Sequence, residues 1–273
     1  MKRCLKKGDQ PVSTILFSIA GFKQGCCGRG EEMEYPNSHL ARFIIRENRF
    51  IARCQLLTGE EVVVHVKNTG RGKEVLVPGA LVSLQYWDSP KRKTKYDLIA
   101  VKKGDQWINI DSQVPNRLAY ESLLDGTIRL PHIKGNLTLL KKEVTYHQSK
   151  FDFYFETDAE EKGFVEIKGM TLENKRVGAF PDAPTSRGLK HVSELIDAKQ
   201  EGYYAAVLFV VQFEHVDVAT IHRAMQPELA EKIRQAIADG IEVFAYNCLV
   251  EETSISIHQA VPFELTAAFE DPN

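Results

Sequence analysis

The chain has 273 residues, 43% of them hydrophobic and 26% charged, and its net charge is −2. That length suits two modest domains or one large one, and the balance excludes an intrinsically disordered chain and any global basicity that would advertise a nucleic-acid partner. Five cysteines without a CxxC pair argue against a disulfide framework or a structural zinc site and for a reducing cytoplasm.

Residues 1–32 read as a disordered upstream extension. Within them, 12–22 is an apolar run that follows Lys2, Arg3, Lys6 and Lys7 and faintly resembles a secretory signal. Asp9, Gln10 and Pro11 interrupt it, and no small-x-small cleavage site follows. Met33 stands before the first organised strand and is a candidate initiator. No apolar run in the chain reaches the roughly 18 residues of a membrane span.

From 33 to 114 the chain reads as all-β. Phe43 and Ile45, then Phe50, Ala52, Cys54 and Leu56, alternate with polar positions, and Val62, Val64 and Val66 repeat the pattern beyond the turn at Thr58-Gly59. Asn68-Thr69-Gly70-Arg71-Gly72 is turn chemistry. Pro78-Gly79 opens another strand, and a basic tip at 90–95 separates it from the next. Five or six short strands in some 70 residues predict a small closed barrel.

The rhythm changes after Pro115, and 115–273 reads as an α/β domain with a mixed central sheet. Helical spacing at 116–124 places Asn116 as an N-cap. Strands are expected near 137–146, 151–156 and 164–172. Thr185 caps a helix at 186–200, 205–213 is a strand buried on both faces, and a helix at 226–239 stops at Gly240 before a strand at 241–250.

Three residues carry the sharpest chemistry. Asp152 lies in a strand whose polar and aromatic residues alternate, and Glu166 and Lys168, two apart on the next apolar run, share a face. A hairpin brings them together. Two carboxylates hold a hard divalent cation through oxygen, and an ammonium beside them orients or deprotonates a water, which is what cleaving a phosphodiester requires. The same residues also suit a plain surface ion pair.

Two basic clusters are candidate phosphate contacts. Lys91, Arg92, Lys93 and Lys95 lie at the barrel tip, flanked by Tyr86, Trp87 and Tyr96, a combination that suits single strands; a solvated hairpin tip reads the same way. Arg187, Lys190 and His191 lie in the first turns of the helix after Thr185, where free N–H groups add to their charge. A structural pairing of Arg187 with Asp182 or Glu194 competes with that reading.

Phe180-Pro181-Asp182-Ala183-Pro184-Thr185-Ser186-Arg187-Gly188-Leu189-Lys190-His191 closely resembles the signature of the sugar fermentation stimulation protein A family. So do Asn68-Thr69-Gly70, Pro115-Asn116-Arg117-Leu118, Ser149-Lys150-Phe151-Asp152-Phe153 and Val165-Glu166-Ile167-Lys168. The resemblance covers about 35–265 and implies an OB-like barrel followed by a domain of the PD-(D/E)XK nuclease-like fold. It further implies DNA binding of weak sequence selectivity, and a role in regulating sugar (maltose) metabolism. Asp152, Glu166 and Lys168 fall on that fold's motif positions, so magnesium, or manganese in its place, is the expected cofactor, held by Asp152, Glu166 and the Ile167 carbonyl. Glu121 or Glu143 is a candidate further carboxylate, and Asp182 either serves the metal or shapes its turn. Val66 and Lys67 replace the family's usual cysteine and proline, and Lys150 replaces a frequent arginine. A non-catalytic regulator that uses the cleft only to grip DNA is the alternative. The family reading of 228–250 as a helix-turn-helix conflicts with the β-branched and aromatic run after Gly240.

Overall fold

The computed structural model describes residues 31–68 and 70–273. The expectation for 1–32 therefore lies outside the described residues, apart from Glu31 and Glu32.

The first layer is the barrel. It comprises β2 (Ser38–Arg46), β3 (Ile51–Leu56), β4 (Glu61–Val66), β5 (Leu81–Tyr86) and β6 (Tyr96–Lys103), with β7 (Gln106–Asn109) pairing on to β6. Period-2 alternation builds it: Ala52, Cys54 and Leu56 are buried in β3, while Arg53 and Gln55 face water. Gly59, at φ +97°, supplies the left-handed residue of the β3–β4 turn. Parallel pairing of Val64 with Tyr96 closes the five strands into a ring, which removes both sheet edges.

The second layer is a seven-stranded mixed sheet. Its members are β1 (Met33–Glu34), β8 (Leu137–Tyr146), β9 (Ser149–Thr157), β10 (Lys162–Met170), β13 (Tyr204–Val211), β15 (Glu242–Val250) and β16 (Ser254–Val261), in the order β1-β16-β15-β13-β10-β9-β8. Strands β10, β13 and β15 are parallel, which requires crossovers. Helices α2 (Ser186–Gln200) and α3 (Pro227–Ala238) provide them. A small sheet of β11 (Leu172–Asn174), β12 (Val177–Phe180) and β14 (Val218–Ile221) stands beside β10.

Both faces of the large sheet are covered, so β13 is apolar throughout, as its run of alanine, valine, leucine and phenylalanine predicts. Phe164, Val207 and Phe209 pack beneath α2 and α3. Val165, Ile167, Ala206 and Leu208 pack with α1 (Val114–Asp125) on the other face. This alternation puts Glu166 on the α2 face.

Two expectations are corrected. Helix α1 begins at Val114 with Gln113 as its N-cap, because Pro115 lacks an N–H and fits the first turn; Asn116 is inside the helix, not its cap. Met33 and Glu34 pair with β16, so the chain enters through the second domain's sheet before it forms the barrel. After α3 the chain runs into β15, the strand that the β-branched and aromatic run after Gly240 predicts, so no recognition helix follows. The short strands β11, β12 and β14 and the longer β16 add to the expected set.

No helix among the described residues is long and apolar enough to cross a membrane.

Candidate functional site

Asp152 and Glu166 come from neighbouring antiparallel strands, where the β9–β10 ladder reaches Val165 opposite Phe153. Beyond that pair, the Asp152 carboxylate replaces a ladder carbonyl. It accepts the Ile167 N–H at 2.8 Å and, through its other oxygen, the Asn116 side-chain amide of α1 at 2.7 Å. Burial, and after it the charge of Glu166, hold Asp152 above the usual aspartate range, against the Ile167 N–H, Lys168 and Asn116.

Glu166 is 1% exposed. Burial opposes its charge, yet His191 and Lys168 together bring it below the usual glutamate range. One oxygen accepts from Lys168 Nζ at 2.5 Å and is bonded to His191 Nδ1. Its other oxygen is buried with no hydrogen-bond partner. A lone carboxylate oxygen in that state is costly, and a ligand that met it would relieve the cost.

His191 departs from its expected role. It is buried on α2 and turned to Glu166, not to solvent, while its Nε2 accepts from Arg187 Nε at 3.3 Å. With Nε2 accepting from Arg187, Nδ1 is the nitrogen that turns to Glu166. Thr185 does cap α2, accepting the Gly188 N–H at 3.0 Å, which sets the rotation of that first turn. Arg187 and Lys190 remain exposed. With Lys150, Ser186 and His191 they line a cleft of about 440 Å³ beside the carboxylates. The cationic cleft and the carboxylate pair are thus joined through His191, which lines the cleft and is bonded to Glu166.

The other candidates lie elsewhere. Glu121 pairs with Arg117 at 3.0 Å, and Glu143 with Lys150 at 2.7 Å, so neither points at the pair. Asp182 shapes the domain junction: it accepts the Gly72 N–H at 2.7 Å and binds Arg71. Lys91, Lys93 and Lys95 are exposed at the tip, as expected. Arg92 is not free in that way. It is bonded to the fully buried Asp97 and lies 5.3 Å from the Trp87 ring centroid. Tyr86 and Tyr96 pack on each other at 5.3 Å. A larger cavity of about 580 Å³, beside Tyr203 and Tyr204, contains none of the expected residues.

Two partners escaped sequence reasoning: Asn116 as the holder of Asp152 and His191 as the holder of Glu166. The Arg187–His191 spacing was the only signal for the second, and it marks a shared helix face without saying what that face meets.

Among the described residues no three His, Cys, Asp or Glu side chains converge on one metal position. A cation here would take two carboxylates and complete its shell from a carbonyl, water and phosphate, which is the habit of magnesium. The unpartnered Glu166 oxygen fits that demand.

Residues 44–110 match the model of the SfsA N-terminal OB domain, and 113–254 match that of the sugar fermentation stimulation protein RE domain. A sugar fermentation stimulation protein homolog of Enterococcus mundtii is 59% identical over 241 residues, spanning 88% of this chain and 100% of that protein. Its counterpart from Clostridium beijerinckii is 47% identical over 229 residues, spanning 84% and 98%. The solved structure of Pyrococcus furiosus SfsA in complex with Ca2+ superposes with a TM-score of 0.76 at 24% identity, covering 85% of this chain and 98% of that one. The fold is thus an OB-like barrel joined to a mixed-sheet RE domain, and the chain belongs to the sugar fermentation stimulation protein family.

Proposed function

We propose that this protein is a cytoplasmic DNA-binding protein whose cleft hydrolyses phosphodiesters with magnesium, or manganese in its place. The observation that carries this reading is the nearness of Asp152, Glu166 and Lys168, with one Glu166 oxygen buried and left without a partner. Asp152, Glu166 and the Ile167 carbonyl would hold the cation, which when bound supplies Lewis acidity toward phosphoryl oxygen. The Ca2+ bound by the Pyrococcus furiosus relative supports a divalent ion in this fold.

The chain's own residues do the rest. His191 and the Asn116 amide fix the two carboxylates, so neither must reorganise when substrate arrives. Lys168 is partly exposed and held at Glu166, where its ammonium can orient the attacking water. Arg187, Lys190 and Lys150 draw in the phosphate backbone without reading bases, which gives weak sequence selectivity. Lys91, Lys93 and Lys95 add a second basic surface on the barrel. Two described cysteines, Cys54 and Cys248, are free and buried, in keeping with a reducing compartment.

The Lys168–Glu166 pair also favours a second reading, since a neutralised carboxylate repels phosphate less and suits a regulator that only grips DNA. Incubating single-stranded, duplex and branched DNA with magnesium or manganese separates the two. Slow cleavage by the wild type, lost in Lys168→Ala, is the expected result. DNA that is bound but left intact under every condition would establish the regulator.

A further inference from the structure

A second cleft, of about 230 Å³, opens where the barrel meets the RE domain. The first turn of α2 borders both clefts: Ser186, Arg187 and His191 line the cationic one, and Pro184 and Thr185 line this one. Gly169, the residue after Lys168, lies on its wall. A side chain at Gly169 would collide with Gln212, its Cβ falling 2.5 Å from Oε1, so the wall there is closely packed. The two clefts thus lie on either side of the start of α2, whose His191 is bonded to Glu166.

The barrel side of this cleft is preformed. Arg46 donates to the carbonyls of Asn68, Gly70 and Arg71 at 2.7, 2.9 and 2.8 Å, and to that of Arg49 at 2.7 Å. Asp182 holds the same loop from the other domain. Arg49 lines the cleft mouth, and its guanidinium stands 5.8 Å from the ring centroid of Phe50. It forms no ion pair among the described residues. Phe50 is 51% exposed, an aromatic ring left in water. Its backbone is nonetheless pinned, since its N–H donates to Asn48 Oδ1 at 2.9 Å and its carbonyl accepts the Val66 N–H at 2.8 Å. A fixed, half-bare ring beside an unpaired guanidinium is a stacking surface next to a phosphate ligand.

We infer that this cleft receives a single-stranded DNA segment adjoining the phosphate at Lys168, with Arg49 on its backbone and Phe50 against a base. The inference rests on the reading of the Asp152–Lys168 cleft as a DNA site and narrows its substrate to DNA with an unpaired flank. A duplex does not enter a space this small, whereas one unstacked nucleotide does. A paired base also keeps its faces inside the stack and offers none to Phe50.

Fluorescence anisotropy with a blunt duplex, and with the same duplex carrying a short thymine tail at either end, tests it on the full chain. The wild type should prefer one tailed duplex by about fivefold or more, the least that one stacked base contributes. Phe50→Ala and Arg49→Ala should each bring that ratio toward one, and Phe50→Trp should keep it. Leu57→Ala, an exposed site on a different barrel turn, should leave the ratio as it is. Equal wild-type affinity for tailed and blunt DNA would overturn this inference and spare the proposed function; no binding of either DNA would overturn both. A tail preference that survives Phe50→Ala and Arg49→Ala would also overturn it, by moving the subsite elsewhere.

Discussion

Replacing Glu74 by glutamine should make the protein more stable at pH 8 and leave it little changed at pH 5. Glu74 follows the Asn68–Gly72 loop, and one of its carboxylate oxygens is buried without a partner. Burial, with help from Asp182, pushes its carboxyl up to about 7 from an ordinary 4.5. Because the folded pKa lies above the unfolded one, the folded state binds the proton more tightly. Stability therefore falls as pH rises from about 4.5 to about 7 and then levels off. The difference of about 2.5 pH units corresponds to about 3 kcal/mol at 1.36 kcal/mol per unit. Glutamine cannot ionise, so urea unfolding of the variant should show a flatter pH profile and a gain of about 1–3 kcal/mol at pH 8. Parallel profiles for wild type and variant between pH 5 and 8 would refute the reasoning.

Alanine at Lys91, Lys93 and Lys95 should lower DNA affinity and make its dependence on salt shallower, because fewer counterions are released; an unchanged slope in a salt titration would move the DNA surface off the tip. Arg92→Ala should act differently. It leaves the buried Asp97 with only Lys67 at 3.3 Å and His65 at 3.4 Å, so thermal unfolding should show a loss of about 1–3 kcal/mol.

Much of the fold was legible because local periodicity and burial agree. The Ala52–Leu56 alternation, the unbroken apolar run of β13 and the Thr185 cap each follow from one physical rule that tertiary contacts do not override. The β1–β16 pairing was illegible: two residues of strand carry no period, and their partner lies more than 200 positions on. The site divides in the same way. Asp152, Glu166 and Lys168 could be read because strand geometry alone decides which side chains share a face. His191 looked like a surface cation because its helix position gives a face but not what packs against it, and the burial of Glu166 decides that. Arg92 misled for a related reason: in a run of four cations within five residues, nothing local marks the one whose guanidinium reaches back to a buried aspartate.

The proposed cleavage requires Asp152 and Glu166 together to hold a divalent cation. Calorimetric titration of magnesium and manganese into the 273-residue chain, alone and with DNA present, reads this out. The wild type should bind either ion, more tightly with DNA, and Glu166→Gln should bind neither while it keeps a cooperative thermal transition. Absence of divalent-ion binding by the folded wild type, with DNA and without it, would mean that the carboxylate pair is no metal site.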